Sequence, residues 1–568
     1  MIGNLFFSMK KVTHYIFIGV LIFLGFQAKA QFNLKNPILP GFYPDPSIVK
    51  VAEDYYLVNS TFAYFPGIPI LHSKDLMNWK QIGNAIDRAS QMDFLGEQIS
   101  RGLFAPAINY HKGIFYITCT DIDNQGNFIL TAKNPAGPWS NPVVLPQVKG
   151  IDPSLFFDDE KAYIIYNSDA PNNKPLYSGH RTVKIFELDI QNLKVLGTET
   201  QLVNGGVDLS KKPVWIEGPH IYKREGYYYL LAAEGGTSIN HSQVAFRSKD
   251  VKGPYIPYDK NPILTQRGLN PDRKNPITST GHADLVEGPD GNTYAVFLGV
   301  RPYEGDFYNT GRETFIAPVK WTNGWPVINP NFEEVQYTYP VNFKEQKQKS
   351  LPLNGNFKQS YKFKNLFKSN YLFLRTPDTS WCKANLKSVT MNLLPQTCME
   401  KGNASFIARR QQHLTFSATV DLNFTAQAEN EKAGFISFQN EYHFYYICKS
   451  IENGKDVIQV YKGNPTDKKM DLLAQEILDK NQKNIQFKIS ADRNTYSLSY
   501  ATSKNNWQVL KANLDAKFLS TKTAGGFVGT LYALYTTSSG KESKNKAIFK
   551  NLTYSGNDET YKLKKSYI

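Results

Sequence analysis

The amino-acid sequence predicts an all-β chain in which a five-bladed β-propeller is followed by a C-terminal β-sandwich. Three observations carry that reading. One plan, two short strands around a polar turn, recurs five times between residues 45 and about 300. Within that region no apolar spacing of 3.6 residues persists for three turns, so helix is scarce. After about Tyr339 the pattern becomes one of period-two strands, apolar on one face. A length of 568 residues suits two or three domains, and 41% hydrophobic with 20% charged residues suits packed cores over disorder. Aromatic residues make up 14%, which favours strands and also surfaces that stack on flat ligands such as sugar rings.

Residues 1–30 are expected to be a targeting signal. Lys10 and Lys11 precede an apolar run from Tyr15 to Phe26, and Ala28-Lys29-Ala30 then forms a small-x-small cleavage site before Gln31. The run is short for a membrane span, so the mature chain is expected to be exported, periplasmic or secreted, with no membrane association after cleavage. Its formal charge falls from +15 to +12 when Lys10, Lys11 and Lys29 are removed. The basic excess is spread along the chain and no nucleic-acid-binding motif accompanies it, so a solvated basic face is expected and nucleic acid is not a partner. Four cysteines, Cys119, Cys382, Cys398 and Cys448, make no disulfide framework in so long an exported chain. Whether Cys382 and Cys398 pair is left open, and none of the four has metal-binding spacing.

The propeller is assigned to residues 31–342. Its units open at Asp45-Pro-Ser, Ala105-Pro-Ala, Asp152-Pro-Ser, Gly218-Pro-His and His282-Ala-Asp. From each opening residue to the tyrosine of the second strand (Tyr56, Tyr116, Tyr163, Tyr229, Tyr294) is 11, 11, 11, 11 and 12 positions. Units begin 47 to 66 residues apart, room for four short strands each. Outer strands are expected at His72-Ser-Lys-Asp-Leu, Thr131-Ala-Lys-Asn-Pro and Arg247-Ser-Lys-Asp-Val. A polar linker is assigned to 343–355 and the sandwich to 356–568, where Phe416, Ala418, Val420 and Leu422 alternate with polar residues, as do Ile485, Phe487 and Ile489.

In a propeller the first strand of each blade lines the axis, so the starts of those strands meet at one mouth of the channel. Asp45, Asp152, Glu217 (beside Gly218) and His282 are therefore expected to converge. Three acids at one cavity suit glycoside hydrolysis, in which a protonated acid protonates the leaving oxygen and an ionised carboxylate activates water or attacks. The third can raise the pKa of the proton donor by like-charge repulsion. A lone Asp-Pro-Ser reads as a turn; two in register with a glutamate and a histidine do not. Glu217 stands one residue before the repeat position, and strict alternation would turn it to the wrong face unless a bulge intervenes.

Gly41-Phe-Tyr-Pro-Asp45-Pro-Ser, Ser60-Thr-Phe62, Gly102-Leu-Phe104-Ala-Pro, Ile151-Asp152-Pro-Ser, Glu217-Gly-Pro-His, Ala233-Glu-Gly-Gly-Thr, Gly281-His282-Ala, Gly299-Val-Arg301-Pro and Gly311-Arg-Glu-Thr resemble the family-43 glycoside hydrolases. Leu374-Arg-Thr-Pro, Ile407-Ala-Arg-Arg-Gln and Gly525-Gly-Phe527-Val-Gly resemble the concanavalin-like C-terminal sandwich of that family's two-domain β-xylosidases. The resemblance runs in order from about Pro37 to near the chain end. It implies an inverting mechanism with Asp45 as general base, Glu217 as general acid and Asp152 tuning Glu217, the carboxyls of inverting enzymes standing roughly 6.5–9.5 Å apart. It also implies that Arg301 binds sugar hydroxyls, that Phe62 and Phe104 line the pocket, and that Phe527 closes over it, favouring exo-action. Many relatives have tryptophan where Phe104 stands, which leaves a smaller stacking face. His282 is implied near the pocket floor, as a substrate contact or beside a structural calcium; no cofactor is required. Arg312 and Glu313 are expected to be structural.

The expected activity is removal of terminal β-D-xylosyl residues from xylo-oligosaccharides or xylan, with α-L-arabinofuranosidase action on arabinoxylan or arabinan as the nearest alternative. The wall near Phe104 and the loops 121–127 and 172–179 are expected to decide between them. A non-catalytic carbohydrate-binding propeller is the alternative of another class, and it would be expected to lack one of the three acids. A fructan hydrolase would carry Asn-Asp-Pro-Asn-Gly and Arg-Asp-Pro motifs, which are absent.

Overall fold

The computed structural model describes residues 32–346, 352–479 and 482–562. The expected targeting signal lies outside them, as does part of the expected linker. Five four-stranded antiparallel units follow one another in chain order, the fourth with an extra short strand: residues 47–86, 107–144, 151–204, 217–265 and 278–328. Each is built in sequence order from the axis outward, apart from a two-stranded side pairing in blade one. Lys112-Gly113 and Glu225-Gly226 carry positive φ at both positions, the two-residue turn whose twist matches that of the strands it joins. The second strands are apolar on both faces, as in Tyr227–Glu234, because neighbouring blades cover both sides.

The axis is closed by side chains of the repeat itself. The Ile108 N–H donates to Ser47 Oγ (3.1 Å), Thr118 Oγ1 to the Pro153 carbonyl (2.5 Å) and Ser154 Oγ to the Pro219 carbonyl (2.5 Å). Asp284 of blade five completes the ring, accepting from Tyr222 Oη (2.5 Å) of blade four and from Ser47 Oγ (2.7 Å) and the Ile48 N–H (2.9 Å) of blade one. Every junction between adjacent blades thus has a buried or part-buried hydrogen bond within a few residues of the functional positions. A buried polar group left unpaired would cost about 1–3 kcal/mol, so this ring opposes sliding of one blade past the next.

The C-terminal domain is a two-sheet sandwich. Strand Thr415–Asn423 alternates as expected, with Phe416, Ala418, Val420 and Leu422 buried and their neighbours partly exposed. The second sheet departs from that pattern, since Ser405–Arg410, His443–Ser450 and Leu531–Thr537 are buried on both faces. Ile407 points into the sandwich core, whereas Phe406, Phe438 and Leu531 pack in one cluster with Phe62, Tyr64, Phe65 and Leu103 of the propeller. The two domains therefore share a core. All four cysteines are free.

Candidate active site

The functional residues stand at a repeated kink. Asp45, Asp152, Gly218 and His282, the equivalent positions of blades one, three, four and five, have φ of 51°, 53°, 56° and 55°. In blades three, four and five the inner strand breaks register at that point, between Ile151 and Ser154, Glu217 and His220, and Gly281 and Asp284. The break supplies the bulge that Glu217 needs: glycine takes the left-handed position at no steric cost, and the preceding glutamate reaches the axis. The His282 ring lies against Gly218, where a Cβ would come within 2.8 Å of it.

A cavity of about 330 Å³ sits over these kinks, at the small end of the ~300–1,000 Å³ usual for ligand sites. Asp45, Asp152, Glu217 and His282 line it together with Phe62, Phe104, Ala105, Ile151, Trp215, Gly236, Thr237, Arg312 and Phe527. Phe527 arrives from the sandwich, its loop docked by the N–H of Phe527 on Ser100 Oγ at 3.1 Å. Its ring stacks on Phe62 at 5.9 Å and meets Phe104 edge-on at 5.8 Å, giving the cavity one aromatic wall.

The three acids have different surroundings. Asp45 is buried, which alone would raise its pKa, but the Arg312 guanidinium, His282 and a 2.6 Å bond from Ser60 Oγ together hold it below the usual carboxylate range. Glu217 accepts no hydrogen bond from a described residue. Burial, then the charges of Asp152 and Asp45, push its pKa well above the ordinary value, which favours the protonated carboxyl. Asp152 is raised to about 7 by burial and by Asp45, against the opposing Gly218 N–H at 3.1 Å. One carboxylate poised as a base beside one carboxyl poised as an acid is the division that general acid–base chemistry requires.

Arg301 is elsewhere. Its side chain is 1% exposed and its guanidinium donates four hydrogen bonds: to Glu313 at 2.6 and 2.8 Å, to Asp558 of the sandwich at 2.7 Å and to the Gln412 carbonyl at 3.0 Å. It ties the two domains together and does not line the cavity. The arginine at the cavity is Arg312, expected from the sequence to be structural, which pairs with Asp45 and lies 5.7 Å from the Phe527 ring. Neither loop 121–127 nor loop 172–179 contributes a lining residue. The second acts through Trp215, whose N–H donates to the Gly179 carbonyl at 2.9 Å and whose ring is covered by Arg181 at 4.7 Å. Trp215 carries no expectation from the sequence, although it stands two residues before Glu217, and Thr237 closes the motif Ala233-Glu-Gly-Gly-Thr without an assigned role. A calcium ion does not fit the donors around His282. Both Asp284 oxygens and both Asp45 oxygens already accept protein hydrogen bonds, and Arg312 faces the same space. Among the described residues no group of three or more His, Cys, Asp or Glu side chains is arranged to hold a metal ion.

Known proteins resemble this chain over both domains. Residues 34–326 match the model of glycosyl hydrolases family 43, and residues 361–555 match the β-xylosidase C-terminal concanavalin A-like domain. A xylosidase/arabinosidase of Butyrivibrio fibrisolvens is 39% identical over 523 residues, covering 90% of this chain and 97% of its own. A non-reducing-end α-L-arabinofuranosidase of Bacteroides ovatus, BoGH43B, is 34% identical over 95% of this chain and 98% of its own. Among solved structures, a GH43_12 protein from a capybara gut metagenome superposes with a TM-score of 0.83 at 41% identity, covering 89% of this chain and 95% of that one. A xylan β-1,4-xylosidase of Bacillus halodurans gives a TM-score of 0.83 at 30% identity, covering 92% and 100%. With its acids gathered at the axis of five blades and its sandwich matched as well, the chain belongs to family 43 of the glycosyl hydrolases.

Proposed function

We propose that this glycoside hydrolase removes terminal β-D-xylosyl residues from xylo-oligosaccharides by inversion. The observation that carries the reading is the contrast across one small cavity between Asp45, paired with Arg312 and Ser60, and Glu217, largely buried with no hydrogen-bond partner for its carboxyl among the described residues. Asp45 takes a proton from a water molecule as that water's oxygen bonds to the anomeric carbon. Glu217 gives its proton to the glycosidic oxygen as the old C–O bond breaks. Asp152 keeps Glu217 protonated by its charge. Phe62, Phe104 and Phe527 offer flat apolar faces to the ring, and Arg312 and His282 offer polar atoms to its hydroxyls. A small cavity capped by a loop of the second domain favours a chain end over a chain interior. Residues 1–30 act on this reading as an export signal, which intact-mass analysis of the mature protein checks by cleavage before Gln31.

The second reading is α-L-arabinofuranosidase action, favoured by the 34% identical Bacteroides ovatus relative. Hydrolysis of p-nitrophenyl β-D-xylopyranoside and p-nitrophenyl α-L-arabinofuranoside, with NMR of the first-formed anomer, separates the two. Wild type is expected to prefer the xyloside and to release the α-anomer, and Asp45→Ala and Glu217→Ala are expected to lose activity on it. A faster arabinoside overturns the sugar assignment; a β-anomer as first product overturns inversion.

A further inference from the structure

His241 immediately precedes the third strand of blade four, Ser242–Ser248, and its ring fills the space beside Glu217. The side chain is 1% exposed. Gly281 makes room for it, since a Cβ there would lie 2.7 Å from the ring. Its main chain is fixed on both sides: the His241 N–H donates to the Ser238 carbonyl at 2.9 Å, and its own carbonyl accepts from Thr265 Oγ1 at 3.2 Å. Nδ1 lies 3.2 Å from the Ser279 carbonyl oxygen, which can only accept, so Nδ1 carries the hydrogen. Nε2 is therefore a bare lone pair. It is buried, has no partner in the protein, and faces Glu217 Oε1 at 3.8 Å.

That arrangement is informative because the usual role of a histidine beside a carboxylate is reversed. An Nε2–H would donate to an ionised Glu217 and favour loss of its proton. Here the fixed tautomer offers only an acceptor, and an acceptor has something to bind only when Glu217 is a carboxylic acid. The groups that face the ring from the neighbouring elements are Glu217, Asp45, His282 and Arg312, with Gly281 and the Ser279 carbonyl beneath it. Burial keeps the imidazole neutral down to about pH 4, with His282 and Arg312 acting in the same direction and Asp45 and the Ser279 bond opposing them.

We propose that His241 is a positioning residue for the general acid: a small shift of the Glu217 carboxyl closes the 3.8 Å separation, and Nε2 then accepts the Glu217 O–H and fixes the carboxyl until the glycosidic oxygen takes that hydrogen bond over. This deepens the assignment of Glu217 and rests on it. No covalent bond changes at His241: the proton stays on Glu217 until it passes to the leaving oxygen. Once it has passed, the Glu217 carboxylate faces a lone pair, which favours its reprotonation from water before the next turnover.

The distinguishing readout is dependence on the leaving group. A 2,4-dinitrophenyl β-D-xyloside departs without help from an acid, whereas phenyl β-D-xyloside needs one. His241→Leu and His241→Met, which have no comparable acceptor, are expected to lose about 10²-fold in kcat/KM on the phenyl substrate, the scale of a misplaced catalytic group, and less than about threefold on the dinitrophenyl substrate. His241→Gln, which restores an acceptor oxygen, is expected to regain most of the phenyl activity. Comparison is made on whichever of the Leu and Met variants keeps the wild-type circular dichroism spectrum. An equal loss on both substrates, or no loss on either, overturns the proposal. Glu217→Ala is run beside them. If it spares the dinitrophenyl substrate while the His241 variants show no such selectivity, only this inference fails; if it shows no selectivity itself, the acid assignment fails.

Discussion

Replacing Arg301 by methionine separates two arginines that the sequence motifs leave hard to tell apart. The side chain is held by Glu313, Asp558 and the Gln412 carbonyl, all buried, at 2.6 to 3.0 Å. Methionine would leave two carboxylates facing each other without a cation. Breaking a buried ion pair from one side costs about 3–5 kcal/mol, a large share of the ~5–15 kcal/mol that keeps a protein folded. At a urea m-value of about 3 kcal/mol/M, the denaturation midpoint falls by about 1–1.7 M. The deficit shrinks on acidification. Burial already raises the Glu313 carboxyl even against Arg301, so without that cation the native state takes up a proton that the unfolded chain has released. Stability lost at pH 7.5 is therefore partly regained near pH 5. The assay is urea denaturation followed by tryptophan fluorescence at both pH values, with p-nitrophenyl xyloside kinetics on the folded protein. KM is expected within about twofold of wild type, since Arg301 does not line the cavity. An unchanged midpoint with a KM raised tenfold or more would refute the reasoning and return Arg301 to the sugar site.

Two further outcomes follow from the same electrostatics. Asp152→Asn removes the largest neighbouring charge that keeps Glu217 protonated, so the basic limb of the kcat/KM profile on the xyloside moves to lower pH; a limb that stays in place or moves up contradicts the coupling. Glu97, raised to about 8 by burial and by Asp121 and Asp123, binds a proton in the native state that the unfolded chain has lost, so wild-type stability falls as pH rises from about 4.5 to 8. Glu97→Gln removes that slope, and calorimetry from pH 5 to 8 should find the variant about 1–3 kcal/mol more stable at the upper end. A variant no more stable than wild type at pH 8 would mean that Glu97 is ionised in the fold.

The propeller was legible because each blade needs the same thing: an inner strand, a tight turn and a second strand apolar on both faces. Repetition at 11 or 12 positions records that need directly. Glu217 was legible as an anomaly of one residue, and the left-handed Gly218 explains it. The arginines were not. Arg301 follows the strand Thr293–Val300 and Arg312 precedes the strand Glu313–Thr322, so both stand at the open end of one antiparallel pair, where strand periodicity stops. Which of them faces the cavity depends on Asp558, 257 residues along the chain from Arg301, claiming the other. Trp215 stands in a loop at φ 52°, where no period exists to be read. The sandwich sheet facing the propeller shows no alternation for a related reason: its outer face is covered by the other domain, and the consecutive burial of Phe406 and Ile407 has meaning only once that cover is known.

The kinked positions also account for the two-sided character of the cavity. Four blades place a left-handed residue at the mouth of the axis: Asp45, Asp152, Gly218 with Glu217 before it, and His282. A non-glycine residue held there costs of order 1 kcal/mol or more, and the surrounding structure must over-determine it. The ring of hydrogen bonds through Ser47, Ser154, Tyr222 and Asp284 lies within a few residues of each kink and supplies that constraint. Blade two is the exception. Ala105 has no positive φ, its inner strand begins only at Ala107, and the chain before it brings Phe104 to the cavity instead of a carboxyl. That gap in the polar ring is where Phe62, Phe104 and Phe527 assemble. A pyranose has the matching anisotropy, with hydroxyls around its edge and C–H bonds on its faces. One missing kink in a five-fold repeat thus converts a ring of charge into a cavity with a polar side and an apolar side, the division that the proposed hydrolysis of a sugar needs.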